Sequence, residues 1–216
     1  MSISNYGELK TAVANWMARS NLTARIPEFI SIAEGYIHYG IMAPNKRWAV
    51  EPLRIRAMET STDITISAQT AALPAGYLAA RRFYLDGTDK RQLDFIPPTE
   101  FWSMHGASDA GTPTAYTIEG ENFVFAPVGT GTGKLLYYKA FTALSDDADT
   151  NWLLTNQPGA YLFATLYEAF TYAEGGQGES EAYLMKFSSV INALNGADSQ
   201  DRFSGAVLQM RVGAAP

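Results

Sequence analysis

The chain has 216 residues, of which 47% are hydrophobic and 18% charged, as expected for one globular domain or one domain carrying an insertion. The sequence contains no apolar run of about 20 residues, so no membrane span is predicted. The N-terminus lacks the pattern of a signal peptide. The absence of cysteine excludes disulfides and zinc–thiolate sites. A net charge of −6 argues against binding of nucleic acid through a basic surface, because such binding depends on neutralising phosphates.

Two amphipathic helices are predicted at the start of the chain. Asn5 and Glu8 have the spacing of a capping pair, which predicts a first helix from about Asn5 to Ala18. A second helix is predicted to start near Pro27, after a short connection. We therefore expect residues 1–47 to form an antiparallel helical hairpin.

Residues 48–149 are predicted to be a β-rich insertion. Alternating apolar and polar residues predict strands at 53–58 and 63–67, and further strands are predicted at 79–85, 92–96, 114–118, 122–126 and 134–141. The connection Glu119-Gly120-Glu121 predicts a tight hairpin turn. A short helix is expected after Pro97.

The second helical part is predicted at 150–196. A helix begins at Pro158, since proline suits a first helical position, and Trp152 is expected to be a buried anchor at its start. Its partner helix is predicted from about Glu179 to Asn195, with Gly196 as cap and residues 197–216 as an extended C-terminal tail. The predicted fold class is α+β: a discontinuous four-helix bundle with an inserted, sandwich-like antiparallel β part.

No enzyme site with a recognised spacing is present. Residues 129–134 (GTGTGK) lack the glycine and the hydroxyl residue of a phosphate-binding loop, and a strand is expected after them. Residues 147–158 lack the glycine and the final carboxylate of a calcium loop. His38 and His105 have no partner at a motif spacing. We expect no catalytic residue, cofactor or metal, although Asp94 and Glu100 leave a carbohydrate-active enzyme as an alternative.

Two groups of residues are candidates for contacts with partners. Arg81 and Arg82 lie in a predicted strand, where alternation places one side chain inward and one outward. They form either an exposed charged surface or an interchain salt bridge. The tail carries four apolar residues that suggest a docking segment, although folding back on the bundle is the alternative: Phe203, Val207, Leu208 and Met210.

The chain resembles the head-to-tail adaptor proteins of short-tailed bacteriophages in the order of its motifs. These motifs extend from end to end of the sequence: Tyr6, Glu8, Leu9, Val13 and Trp16; Arg25–Ile30 with Ala33 and Glu34; Leu73, Pro74 and Tyr77; 111–113 and Tyr116; 143–146; 150–154; Pro158, Tyr161, Leu162, Leu166, Glu168 and Ala169; Ser204 and Gly205.

The resemblance implies a structural virion protein of the neck or tail, assembled in the host cytoplasm. It implies a ring of identical copies, usually twelve, bound between the portal protein and a downstream tail or nozzle protein. The ring would extend the channel, so that DNA passes without specific binding. The C-terminal tail of such proteins often reaches the portal. The alternative within the virion is another tail component, such as a tail-tube or tail-completion protein.

Overall fold

The computed structural model describes residues 3–44, 47–87, 90–106, 109–173 and 177–203. Its α-helices are α1 (Tyr6–Met17), α2 (Ile26–Tyr39), α3 (Pro98–Met104), α4 (Trp152–Asn156), α5 (Pro158–Tyr172) and α6 (Gln177–Phe203). Short 3₁₀ helices occupy Ser20–Arg25 and Arg56–Met58. The strands are β1 (Ile41–Met42), β2 (Trp48–Val50), β3 (Glu59–Ile66), β4 (Thr70–Ala72), β5 (Tyr77–Leu85), β6 (Arg91–Gln92), β7 (Asp94–Phe95), β8 (Ala115–Glu119), β9 (Asn122–Ala126) and β10 (Gly131–Lys139).

The fold is α+β, as the sequence predicts. The chain divides into two compact units, which we call the helical unit (Met1–Ile55 with Ala143–Pro216) and the β unit (Arg56–Thr142). No helix among the described residues is both long and apolar enough to cross a bilayer.

Helix α1 begins with the predicted cap. The Asn5 Oδ1 atom accepts a hydrogen bond from the Glu8 amide at 2.9 Å, and the Glu8 carboxylate accepts one from the Ser4 amide at 2.7 Å. The next orphan amides of the helix, those of Tyr6 and Gly7, donate to backbone carbonyls in the acidic loop 145–149. That loop therefore closes the N-terminal end of α1.

Helix α5 is the centre of the helical unit, because it packs against α1, α2 and α6. It begins at Pro158 as predicted. Its side chains are buried over most of its circumference: Ala160, Tyr161, Leu162, Ala164, Thr165, Leu166 and Ala169. An apolar helix surface this broad requires cover on several sides, which the three neighbouring helices supply.

A buried polar network joins α2, α5 and the segment that precedes α5. Tyr161 is fully buried, and its hydroxyl accepts a hydrogen bond from the Asn151 amide group at 2.7 Å. The same hydroxyl is hydrogen-bonded to the Glu34 carboxylate, which also accepts the Leu144 amide at 3.0 Å. Burial raises the pKa of Glu34, and these two hydrogen bonds oppose part of that rise. Asn151 in turn caps α4 by accepting the Leu154 amide at 3.0 Å.

The strand predicted at 53–58 is wrong. Leu53 and Ile55 are buried, but the alternation ends before Met58, which is also buried, and the backbone has no partner strand there. Instead, the Leu53 amide donates to the carbonyl of Ile37 in α2, and the Arg54 amide donates to the Asn195 side chain in α6. The segment is an extended connection held by helices, and Arg56–Met58 forms a 3₁₀ turn.

Helix α6 does not end at Gly196 but continues to Phe203, the last described residue. Asp198 and Arg202 form an ion pair at the i,i+4 spacing, which favours helix in this final stretch. A glycine inside a helix costs about 1 kcal/mol relative to alanine, so it does not end a helix by itself. The tail predicted at 197–216 is therefore helical in its first seven residues, and residues 204–216 lie outside the described part.

The β unit contains two four-stranded sheets, with strand orders β3-β10-β5-β6 and β4-β9-β8-β7. Neighbouring strands are antiparallel except for β7 and β8, which run parallel. One aromatic and aliphatic cluster contains side chains from both sheets, including Phe83, Phe123, Phe125 and Tyr137, as expected of a sandwich. The predicted β8–β9 hairpin is confirmed, with Gly120 at a φ of +59°.

The single strand predicted at 92–96 is two short strands in different sheets. Residues 91–92 pair with β5, and residues 94–95 pair with β8. Leu93 lies between them, is buried, and donates its amide to the Phe83 carbonyl. Five consecutive residues that favour a strand cannot reveal that the chain changes sheets at Leu93.

Trp152 is not the buried anchor that the sequence suggested, since 42% of its surface is exposed. Successive residues of a helix point about 100° apart, and α4 directs Leu153 and Leu154 inward instead. Both leucines are fully buried.

We expect Leu153→Ala to reduce the free energy of unfolding by about 2–5 kcal/mol, because it opens a cavity beside α5. Trp152→Ala should cost less than about 1 kcal/mol in the isolated chain. Urea denaturation of both variants measures the difference. An equal loss in the two variants would show that Trp152 anchors the folded chain after all.

Candidate interaction surfaces

Arg81 and Arg82 are both exposed on β5, and the predicted inward-outward alternation of the pair is wrong. The cause is a β-bulge: Leu136 of β10 lies opposite Arg82 while Tyr137 lies opposite Ala80, which leaves Arg81 as the extra residue. A bulge interrupts the period of two. Two consecutive side chains can then remain on the surface.

The two arginines differ in their partners. The Arg81 Nε atom lies 3.0 Å from a carboxylate oxygen of Glu59, and its guanidinium lies 5.8 Å from the Tyr138 ring centre. Its charge is therefore already paired within the chain. The Arg82 guanidinium lies 5.6 Å from the Tyr84 ring centre. No carboxylate among the described residues pairs with it, so Arg82 is the better candidate for an interchain salt bridge.

Sequence reasoning did not single out two further cations near Arg82. The Lys90 Nζ atom lies 6.0 Å from the centre of the same Tyr84 ring, and Arg91 follows it in β6. Lys90 and Arg91 line an open cleft of about 1040 Å³ at the end of the β unit where β10 begins. The signal available in the sequence was two adjacent cations just after an Asp86-Gly87 turn.

All four tryptophans of the chain are substantially exposed. Their exposed fractions are 49% for Trp16, 47% for Trp48, 42% for Trp102 and 42% for Trp152. Tryptophan is usually well buried in an isolated protein, and it is enriched at the centres of protein interfaces. Three of these residues lie on the helical unit and Trp102 lies on the β unit. Both units therefore present surfaces suited to partners.

The glycine-rich run 129–134 has a packing role. Gly133 lies within β10, and a Cβ atom there would lie 2.5 Å from the Phe83 ring. Gly129 approaches the Gly111 backbone so closely that a Cβ atom would overlap the Gly111 carbonyl oxygen. Lys134 pairs with Asp63 across the sheet at 3.6 Å. Only residues 129 and 130 are therefore loop, and the strand that the sequence analysis expected after the run begins within it, at Gly131.

The alternative enzyme site receives no support from the geometry. Asp94 in β7 and Glu100 in α3 are both exposed, whereas the acid of a glycosidase is usually held in a partly apolar pocket. A groove of about 490 Å³ beside β5 is lined by Asp94 but not by Glu100. Across the described ranges, no group of three His, Asp or Glu residues could hold a metal ion.

The apolar residues proposed for the C-terminal interface lie at the edge of the described chain or beyond it. Phe203 is the last residue of α6. Val207, Leu208 and Met210 are outside the described residues. Their role as an interface stays a prediction.

Comparison with known proteins places nearly the whole chain in one family. The model of a family described as SU10 adaptor protein matches residues 4–211. No curated protein matches the chain.

The buried side chain of His38 makes the stability of the helical unit depend on pH. It is buried on α2, and burial together with the nearby Arg54 charge lowers its pKa from 6.5 to about 4. The unfolded chain binds this proton near pH 6.5, while the folded chain resists it until about pH 4. We therefore expect the free energy of unfolding to decrease as the pH falls through this interval, by up to about 3 kcal/mol.

Urea denaturation at pH 7 and pH 4.5 measures this loss. His38→Gln should reduce the pH dependence, and the control is His105→Gln, which replaces the other histidine of the chain, in the β unit. If the two variants show the same pH profile, the loss of stability has another origin.

Proposed function

Because the chain belongs to the SU10 adaptor protein family and is therefore a structural adaptor of a phage virion, we propose that it forms a ring between the portal and the tail. In this proposal the copies enclose a channel that continues the portal channel. One side of the ring contacts the portal, and the other contacts a downstream tail or nozzle protein. We further propose that the virion is of the short-tailed type and that assembly takes place in the host cytoplasm.

The exposure of all four tryptophans is the observation that favours this proposal most directly. A subunit of such a ring has at least two neighbouring copies, a portal side and a tail side, and each contact needs its own anchoring residues. Aromatic side chains supply large contact areas for a small loss of conformational entropy. Trp16, Trp48 and Trp152 on the helical unit and Trp102 on the β unit are suited to that use.

The C-terminal residues are our candidate for the portal contact. Phe203, Val207, Leu208 and Met210 carry apolar side chains at or beyond the end of α6. An extended segment with apolar residues can bind by adding a strand to a partner sheet. The portal is the partner that the proposal assigns to it.

Deletion of residues 204–216 tests the proposal while leaving every described residue in place. We expect the melting temperature of the chain to change little, and attachment to portal-bearing heads to be lost. Electron microscopy of heads mixed with the wild-type or truncated chain measures attachment and shows the position of the ring. A truncated chain that attaches normally would refute the portal contact, and a wild-type chain located elsewhere in the particle would refute the ring between portal and tail.

The proposed channel also predicts weak interaction with DNA. The chain has 22 acidic and 16 basic side chains, and a wall that held phosphates tightly would impede DNA passage. We expect negligible binding of duplex DNA at physiological salt, measured by fluorescence anisotropy. Sub-micromolar binding that weakens steeply with salt would contradict this expectation.

A further inference from the structure

One corner of the β unit carries positive charges that have no carboxylate partner among the described residues. We call Arg82, Lys90 and Arg91 the basic corner. All three are exposed, and no carboxylate among the described residues lies within ion-pair distance of them. Arg82 and Lys90 instead contact the Tyr84 ring. In a protein with a net charge of −6, such a cluster indicates a site for a negatively charged partner.

The basic corner borders a cleft large enough for a protein loop. The cleft of about 1040 Å³ is lined by Lys90, Arg91 and polar groups of the adjoining loops: Asp86, Gly87, Thr112, Thr130, Gly131 and Thr132. Asp86 is the only acid among the described lining residues. The threonine hydroxyls and the glycine backbone add uncharged hydrogen-bonding groups. This lining suits a short polar segment that carries carboxylates.

The β8–β9 turn of the same chain has the complementary properties. Glu119 and Glu121 are exposed, and no cation among the described residues pairs with either of them. Between them, Gly120 projects into open space, since a Cβ built there would contact nothing within 4 Å. Trp102 donates its indole N–H to Glu119 and is 42% exposed. The turn is therefore a protruding acidic tip with an exposed aromatic side chain beside it.

The tip lies at one end of β9, and the cleft lies beyond the other end of this strand. Strand β9 begins at the tip with Asn122 and ends at Ala126, and residues 127–130 lead to β10, whose first residue, Gly131, lines the cleft. The tip cannot enter the cleft of its own β unit. A second copy can supply it.

We propose that the β8–β9 turn of one copy inserts into the cleft of the next copy, where Glu119 and Glu121 pair with Lys90 and Arg91. This inference rests on the proposed ring. Two different patches of one chain meet in this contact, so it is heterologous and passes from copy to copy, as a ring requires. Trp102 would become buried at its edge, as expected for an interface anchor.

The absence of cysteine permits a direct cross-linking test. Asn122→Cys places a thiol beside the tip, and Thr130→Cys places one in the cleft; both leave every charge unchanged. We expect an oxidised mixture of the two full-length variants to form disulfide-linked dimers, while neither variant forms them alone. The control pair is Asn122→Cys with Ser61→Cys, which carries an exposed thiol on β3.

Charge reversal tests the electrostatic part. Lys90→Glu/Arg91→Glu should weaken self-association at least about tenfold, because it places like charges together. Mixing this variant with Glu119→Lys/Glu121→Lys should restore association. The control, Arg19→Glu/Lys139→Glu, makes the same change in net charge elsewhere and should have little effect.

The outcomes separate this contact from the ring itself. Association in light scattering without a cross-link between the Asn122→Cys and Thr130→Cys chains would overturn the inference and leave the ring standing. Unchanged association after charge reversal would also overturn it. If the chain associates only on the portal, the same oxidation on assembled particles decides the point. A chain that stays single in solution and in the particle would refute both proposals.

Discussion

The helical unit depends on the environment of one buried hydroxyl group, that of Tyr161. A buried hydroxyl without partners costs about 1–3 kcal/mol, so this side chain needs Glu34 and Asn151 in place around it. Glu34 comes from α2, whereas Asn151 and Tyr161 come from the cap of α4 and from α5, more than 100 residues later in the sequence. The network therefore fixes how the N-terminal helices meet the C-terminal ones. All three residues also belong to the motifs on which the resemblance to phage adaptors was based, and their chemistry is that of packing and capping.

The sequence predicted most reliably the features that neighbouring residues determine. The cap of α1, the start of α5 at Pro158 and the β8–β9 turn all depend on contacts within a few residues. The errors arose where the partner is distant. The alternation at 53–58 matched the burial of Leu53 and Ile55 but not that of Met58, and the backbone partners are in α2 and α6 instead of a strand.

The candidate surfaces were harder to predict because small changes of backbone geometry decide which side chains are exposed and which charges are paired. A single bulge residue exposes both Arg81 and Arg82, and Glu59 then pairs with only one of them. In α4, a rotation of one residue separates the buried Leu153 from the exposed Trp152. The burial and charge pairing of the folded chain therefore identify Arg82, which has no carboxylate partner among the described residues, and the exposed tryptophans as candidates for contacts with partners.

The interior of the β unit explains how a contact between its two ends could set the shape of a ring. The closing of a ring requires that two different patches keep a constant angle to each other. The basic corner and the acidic tip are attached to sheets that share one aromatic cluster, in which Phe83 contacts Tyr116, Phe123 and Phe125 at centroid distances of 5.2–5.5 Å. Gly133 is required where that cluster approaches β10. Close packing resists deformation. The buried aromatic cluster would therefore determine the angle between neighbouring copies, although none of its residues lies in the contact between them. A core substitution such as Gly133→Ala would then alter the angle between the two patches, and with it the closure of the ring, while every charged residue of the contact stayed in place.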